Sequence, residues 1–441
     1  MTAYLLERAW VDGAVHDDVA VEIADGRFTA VDLPGPSTGR TAPTTPTAPT
    51  RLPGLTIPGL ANGHSHAFHR ALRGRTQRGR GTFWTWREQM YAVAARLDPD
   101  SYLDLATVVF REMAAAGITA VGEFHYLHHQ PDGSPYADPN AMGHALVEAA
   151  ERAGIRITLL DTCYLSSGFG EPPQGAQVRY DDGSAEAWAD RVALLSETER
   201  ARVGAAIHSV RAVPRDQLGP VVEAAAGRPL HVHLSEQVAE NDACLAAYGA
   251  TPAQVLDEAG ALGPRTTAVH ATHLTADDVR RLGAVAAYAC FCPTTERDLG
   301  DGIGPSRALH DAGSPLTLGS DSHAVVDLFE EMRAVELDER LATRQRGHWT
   351  AAELLAAATR HESLGWDDAG AIRIGARADL VTIATDRVRT AGTGADEQTA
   401  VFAAVAEDVT HVVADGRVVF TEGDREQLGR DLDATIGRIW A

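Results

Sequence analysis

Two histidines one residue apart, His64 and His66, close an apolar run that begins at Leu55. In an extended strand, residues two apart point to the same side, so both imidazoles can face one point. Neutral imidazole is the commonest protein ligand for zinc and similar ions. A lone His-x-His pair also fits strand-end histidines bonded to nearby carbonyls. Partners at other strand ends decide between the two, and the chain is rich in them. Glu123, His125 and Tyr126 follow or end Ile118–Phe124, and His208 and Arg211 do the same for Val203–Val210. Leu230–Leu234 carries His231 and His233, with Glu236 three residues past His233. His270 and His273 come at the end of Thr267–His270, Thr294, Thr295 and Glu296 just after Cys292, and Asp321 and His323 just after Gly319.

Taken jointly, His64, His66, His233 and Asp321 suit a zinc ion with a position left for water. Ferrous iron accepts the same ligands. A structural zinc site would more often use cysteine, and none stands at these positions. Zinc lowers the pKa of water from about 15.7 to about 7, which makes hydroxide available at neutral pH. Asp321 can both touch the ion and accept the water proton. Glu236 can carry a proton to a leaving nitrogen, and His270 can hydrogen-bond the developing tetrahedral centre. The constellation describes hydrolytic attack on an sp² carbon with release of an amine or ammonia.

Such groups converge only if the strands that carry them are parallel neighbours. Eight apolar runs read as strands: Leu55–Leu60, Ile118–Phe124, Ile155–Asp161, Val203–Val210, Leu230–Leu234, Thr267–His270, Val285–Cys292 and Leu316–Gly319. Amphipathic stretches such as Ser101–Ala115, Ala141–Ala153, Arg215–Ala226, Ala253–Ala259 and Thr275–Leu282 separate most of them. This alternation predicts an α/β (β/α)₈ barrel with its chemistry at the C-terminal strand ends. An open doubly wound sheet is the structural alternative, but no Gly-x-Gly-x-x-Gly follows the first strand. Short strands at both ends of the chain predict a small β-sandwich domain built from residues 1–54 and 366–441, with the barrel over 55–365. Pro34 to Pro53, rich in Pro and Thr, reads as an exposed loop.

Length and composition set outer bounds. The 441 residues suffice for one large barrel and a satellite domain. A net charge of −22 disfavours nucleic acid and anionic membranes as partners. The chain contains no lysine, which excludes Schiff-base, P-loop and carbamylated-lysine mechanisms. Four cysteines, with Cys290 and Cys292 in one apolar run, read as buried thiols. No stretch reaches the roughly 18 apolar residues of a membrane helix, and the start lacks a secretory pattern, so a cytoplasmic protein is expected.

With these residues in view, the chain resembles the amidohydrolase superfamily, in its mononuclear, deaminase-like branch. Within it, the motifs His64-Ser65-His66-Ala67-Phe68, Phe83-Trp84-Thr85-Trp86-Arg87-Glu88-Gln89-Met90-Tyr91, Glu123-Phe124-His125-Tyr126, His208-Ser209-Val210-Arg211, Val269-His270-Ala271-Thr272-His273 and Cys292-Pro293-Thr294-Thr295-Glu296 are similar to the formimidoylglutamate deiminases of histidine degradation. The resemblance implies hydrolysis of N-formimino-L-glutamate to N-formyl-L-glutamate and ammonia. It also implies that Arg87, Tyr126, His208 and Arg211 hold the small dicarboxylate substrate, and that the barrels pair as a homodimer. Arginine suits that task because its planar fork matches a carboxylate. One position departs from the family: His69 stands where a substrate-holding glutamine is usual. A related deaminase acting on a purine or pyrimidine ring is the alternative reading. The arginines between Arg70 and Phe83, namely Arg73, Arg75, Arg78 and Arg80, read as a solvated loop.

Overall fold

The computed structural model describes residues 1–33, 48–77, 80–81 and 83–441, without the side chains of Phe83 and Trp84. Most of the expected Pro- and Thr-rich loop and Arg78 therefore lie outside the described residues.

The described strands form two sheets. The smaller uses β1 (Thr2–Val11), β2 (Ala14–Ala24), β3 (Arg27–Asp32), β4 (Thr50–Pro58), β13 (Leu380–Ile383), β14 (Val409–Ala414) and β15 (Arg417–Thr421). The larger uses β5 (Leu60–Ser65), β6 (Ile118–His125), β7 (Arg156–Cys163), β8 (Ala201–Ile207), β9 (Leu230–Leu234), β10 (Thr266–His270), β11 (Tyr288–Phe291) and β12 (Leu316–Leu318). Its eight strands run in sequence order, each parallel to the next. The ring closes where β5 meets the chain after β12: Asp321 N donates to His64 O at 3.0 Å and His66 N to Asp321 O at 3.1 Å. Asn62 completes the seam, donating from Nδ2 to Ser320 Oγ at 2.7 Å and accepting from Ser320 N at 2.9 Å. Every residue of β6 and β7 is buried, as expected of parallel strands covered on both faces. The fold is thus the expected barrel with a small domain from both chain ends.

The run read as the first barrel strand, Leu55–Leu60, is a correction. Residues up to Pro58 belong to β4, which pairs with β1 and β13 in the small sheet. The expected boundary at residue 54 falls inside this strand, and so does the end of the expected loop, because β4 starts at Thr50. The chain changes sheets at Gly59. A Cβ there would lie 2.3 Å from Thr119 Oγ1 and 2.7 Å from Asp379 Cβ, so only glycine passes. Apolar content could not show the change, since both sheets bury this segment. The sandwich also takes a particular form: all described strands of the small domain share one seven-stranded sheet. That sheet curls back on itself. Phe28 N donates to Ala376 O and Gly375 N to Phe28 O, so the β3 edge meets the segment leading into β13.

A buried ion cluster fastens the small domain to the base of the barrel. Arg156, at the start of β7, is fully buried and donates to Asp379 Oδ2 at 2.5 Å and to Asp415 Oδ1 at 2.7 Å. Arg377 adds a second cation on Asp415 at 3.0 Å. Burial alone would raise the Asp379 carboxyl, but Arg156 outweighs it and holds the group at about 2.

The helices follow the sequence closely. Pro99–Ala115 opens with Asp98 and Ser101 in a reciprocal cap, and Ala141–Ala153 ends on Gly154 in the left-handed region, φ 82°. The C-terminal helix Arg425–Trp440 was not anticipated. It buries Leu432, Thr435, Ile436 and Ile439, a three-and-four spacing that does mark an amphipathic helix. It packs beside Pro99–Ala115, where Arg438 meets Asp104 at 3.2 Å. All four cysteines are free and buried, as expected.

Candidate active site

At the C-terminal ends of the barrel strands the expected ligands come together. His64 Nε2 lies 3.0 Å from His233 Nε2 and 3.4 Å from Asp321 Oδ1, and His66 Nε2 lies 3.3 Å from the same oxygen. Candidate ligand atoms of His64, His233, His270 and Asp321 all fall within 4.8 Å of one another. His270 therefore enters the cluster more deeply than expected, its Nε2 3.7 Å from Asp321 Oδ2.

Local backbone geometry explains how short strands aim so many groups at one point. The β5–β6 register slips between Asn62 and Ser65, a bulge that re-aims the side chains after it. His66 and His233 are oriented from behind: Nδ1 of the first donates to Phe124 O at 3.1 Å, and Nδ1 of the second to His208 O at 3.0 Å. Their Nε2 lone pairs are thereby left facing the cluster. Ser235, His270, Asp321 and His323 all sit at positive φ, 52°, 67°, 39° and 57°. Such conformations cost about 1–3 kcal/mol each and gather at functional sites.

The donor set fits a divalent ion. Burial first, and then mutual repulsion among the imidazoles, hold His66 and His233 well below the usual histidine range. Burial also lowers His64, although Asp321 opposes the shift. Neutral imidazoles with converging lone pairs are what a metal needs. Burial would raise the Asp321 carboxyl, but the His64 hydrogen bond and the surrounding imidazoles hold it well below the carboxylate range. His270 shows the opposite balance: burial lowers it, but Glu236, Glu296 and Asp321 together hold it well above its ordinary value. Its Nδ1 is 3.4 Å from Glu296 Oε1 and its Nε2 is 4.0 Å from Glu236 Oε1. Burial and the nearby Asp321 raise Glu236 despite His270.

A cavity of about 400 Å³ opens above the cluster. Arg87, Tyr126, His208, Arg211 and His69 all line it, together with Glu236, His270 and Asp321. His69 Nε2 is 3.0 Å from the Tyr126 hydroxyl, and burial holds His69 down at about 3, so it is a neutral polar group at neutral pH. Arg87 donates from Nε to the Tyr91 hydroxyl at 2.6 Å. Arg211 donates from Nη1 to Ser167 O at 3.2 Å and has Nε 3.5 Å from Glu240 Oε2.

Several strand-end groups do not reach the cavity. His125 points behind the barrel towards Tyr102 and His128. Nε2 of His231 lies 3.4 Å from Ser363 O at the other end of the barrel. His273 bonds Asp301 O at 2.8 Å, and Thr294 is tied to Glu331. Glu123 and His323 both meet Ser65, at 2.6 and 2.9 Å, and so brace the segment between the two histidines from beneath. Arg73 is a further correction. It pairs with Glu112 at 2.6 Å and donates to His323 O at 2.7 Å, so it is a structural tie to the end of the barrel rather than part of a solvated loop.

Sequence reasoning missed part of the cavity wall. Tyr91, Tyr164, Tyr180, Ser167 and Glu240 also line it. Tyr91 was within reach, one helical turn beyond Arg87 in Phe83–Ala94. Nothing in the sequence marks the others, because the loop after β7 and the helix Val238–Tyr248 are placed only by packing.

A family model for the amidohydrolase family matches residues 55–419. A formimidoylglutamate deiminase of Pseudomonas aeruginosa is 39% identical over 352 residues, 76% of this chain and 77% of that protein. An 8-oxoguanine deaminase of the same species is 31% identical over 400 residues, 87% of this chain and 86% of its own length. The crystal structure of an amidohydrolase from Brucella melitensis superposes over 100% of both chains with a TM-score of 0.89 at 29% identity.

Proposed function

The chain belongs to the amidohydrolase family, whose members are metal-dependent hydrolases of C–N bonds, and we propose that it hydrolyses N-formimino-L-glutamate to N-formyl-L-glutamate and ammonia. The observation that carries this reading is the pair of guanidiniums, Arg87 and Arg211, in one cavity with the His–Asp cluster. A substrate with an amidine at one end and two carboxylates matches a site with a His–Asp cluster suited to a divalent ion on its floor and two arginine forks on its wall. The relative at 39% identity bears a name that agrees.

His64, His66, His233 and Asp321 would hold the ion, with zinc as its proposed identity. A divalent ion there supplies Lewis acidity, which makes hydroxide accessible at neutral pH. The protein's own groups manage the protons. Asp321 Oδ2 accepts a proton from the attacking water. The His270 imidazolium, held cationic by its three carboxylate neighbours, donates a hydrogen bond to the oxygen as the amidine carbon becomes tetrahedral. Glu236, raised by burial and thus able to carry a proton, delivers it to the terminal nitrogen. The C–N bond breaks and ammonia leaves; the new hydroxyl gives its remaining proton to the Glu236 carboxylate as the carbon–oxygen bond becomes the formyl carbonyl. Glu236 thus ends protonated as it began, and the proton held by Asp321 leaves with ammonia as ammonium. Tyr126 and His69 fix the substrate between floor and wall, and His208, whose backbone carbonyl orients His233, lines the same side. A cytoplasmic location and a homodimeric assembly belong to the same reading; among the described residues no helix is long and apolar enough to cross a membrane.

The aromatic lining, Trp86, Tyr126, Tyr164 and Tyr180, favours a second reading, deamination of a purine or pyrimidine ring. Ammonia release by the zinc-loaded enzyme from formiminoglutamate, formiminoaspartate, cytosine, guanine and adenosine separates the two. Turnover of a ring with none of formiminoglutamate would sink the first.

A further inference from the structure

Arg211 is one of the two wall arginines proposed as carboxylate sites, yet the protein already sets a carboxylate beside it. Glu240 projects from the first turn of Val238–Tyr248 and lines the cavity beside the guanidinium, Oε2 3.5 Å from Arg211 Nε. Only 13% of the Glu240 side chain is exposed. The other contacts of Arg211 are neutral, the Ser167 carbonyl and the Tyr164 hydroxyl. An incoming carboxylate would therefore make a second anion on one guanidinium. Two carboxylates sharing one site do not both stay ionised; one takes a proton.

We propose that Glu240 makes carboxylate capture proton-coupled: as a substrate carboxylate engages Arg211, Glu240 becomes protonated and remains in place as a neutral acid. The inference rests on the reading of Arg211 as a substrate-carboxylate site. It names a specificity device within that site, since a ligand bringing no anion to Arg211 causes no such uptake. The balance is simple. One proton moves from solvent to Glu240 on binding and returns on release, and no covalent bond changes.

The surroundings suit the role. Burial raises the Glu240 carboxyl, Arg211 opposes that and Glu236 adds to it, leaving it at about 7 in the open cavity. The charged and titratable groups facing it are Arg211 from the loop after β8, Glu236 from the loop before its own helix, His270 from the end of β10, and Cys244 one turn along the helix. Arg211 is raised further and stays cationic. Cys244 is pushed up to about 11 and stays a neutral thiol. Glu236 and His270 form the catalytic pair, and any protons they exchange persist when Glu240 alone is changed.

Proton counting by titration calorimetry tests the idea directly. The metal-loaded enzyme is titrated with N-formyl-L-glutamate, and separately with glutarate, in two buffers of different ionisation enthalpy. Uptake approaching one proton per site at pH 8 and falling towards none at pH 6 is expected. In Glu240→Gln the extra uptake disappears and the dissociation constant becomes flat across this range, about tenfold tighter than wild type at pH 8. Binding to the wild type at pH 8 without proton uptake overturns the proposal, as does unchanged uptake in Glu240→Gln. If Glu240→Gln folds poorly, Glu240→Ala carries the same comparison with the wild type. If neither acid binds the wild type while a ring amidine does, the dicarboxylate reading itself fails and takes this inference with it.

Discussion

Two buried polar clusters, at opposite ends of the barrel, join segments that lie far apart in the chain. At the base, Arg156, Asp379, Asp415 and Arg377 pair cation with anion along short hydrogen bonds. At the mouth, His64, His66, His233, His270 and Asp321 crowd basic nitrogens together, two of them 3.0 Å apart. The base cluster is charge-compensated, and its Asp379 carboxyl is pulled down to about 2. The mouth is not. Glu236 and Glu240 are raised there, and Nδ1 of His64, His69 and His208 has no hydrogen-bond partner. Both clusters lie largely out of solvent, so burial does not make a polar cluster functional. The difference is charge compensation, since the base also leaves one buried atom, Arg156 Nε, without a partner. A cluster that pairs each carboxylate with an arginine holds domains together; one that leaves basic nitrogens and raised carboxyls crowded together is prepared for groups from outside.

The contrast breaks most sharply at the mouth. His233→Ala removes one of the proposed ligands, so metal content measured by atomic emission falls and ammonia release drops by at least about 10³-fold, while the thermal midpoint of the apoprotein changes little. Glu236→Gln keeps the metal but loses the proton carrier; kcat falls by about 10²–10⁴ with KM nearly constant. Retained metal with unchanged kcat would remove Glu236 from the mechanism. At the base the pattern reverses. Asp379→Asn leaves Arg156 buried beside an incomplete partner set and costs about 3–5 kcal/mol by denaturant titration, with KM and kcat of the folded enzyme unaffected. Arg211→Ala costs about 2–5 kcal/mol in kcat/KM on a dicarboxylate, and far less on a neutral ring.

The smallest effect is a pH dependence at the base. The Asp379 carboxyl lies lower folded, at about 2, than in an unfolded chain, at about 3.9. Its stabilisation is therefore fully present above about pH 4 and is lost as pH falls through about 2. Urea midpoints between pH 5 and 2.5 should fall more steeply for the wild type than for Asp379→Asn, and parallel curves would show that the pair does not govern acid stability.

Much of the mouth was legible because metal chemistry restricts residue type. Few residues besides His and Asp serve at such positions, so His64, His66, His233 and Asp321 stood out at strand ends even though 257 positions separate His64 from Asp321. The base cluster was invisible. Arg156 looks like any arginine at the start of a strand, and Asp379 like any aspartate just before one. Arginine–aspartate pairing carries no local signature, since each partner is common on surfaces and only burial distinguishes it.

The sequence by itself determined the alternation of apolar strands and amphipathic helices, hence the barrel, and the residue types at its strand ends, hence a metal and a hydrolysis. Apolar periodicity and ligand chemistry are properties of short segments, and a chain displays them without folding. Only the tertiary structure decided which strand-end groups face inward: His233 towards the mouth but His231 towards Ser363, and His270 in the cluster but His273 on Asp301. It alone moved Leu55–Pro58 into the small sheet and brought Glu240 against Arg211. These outcomes depend on bulges, left-handed residues and the close approach at Gly59, where the position of one backbone is set by a neighbour far along the chain.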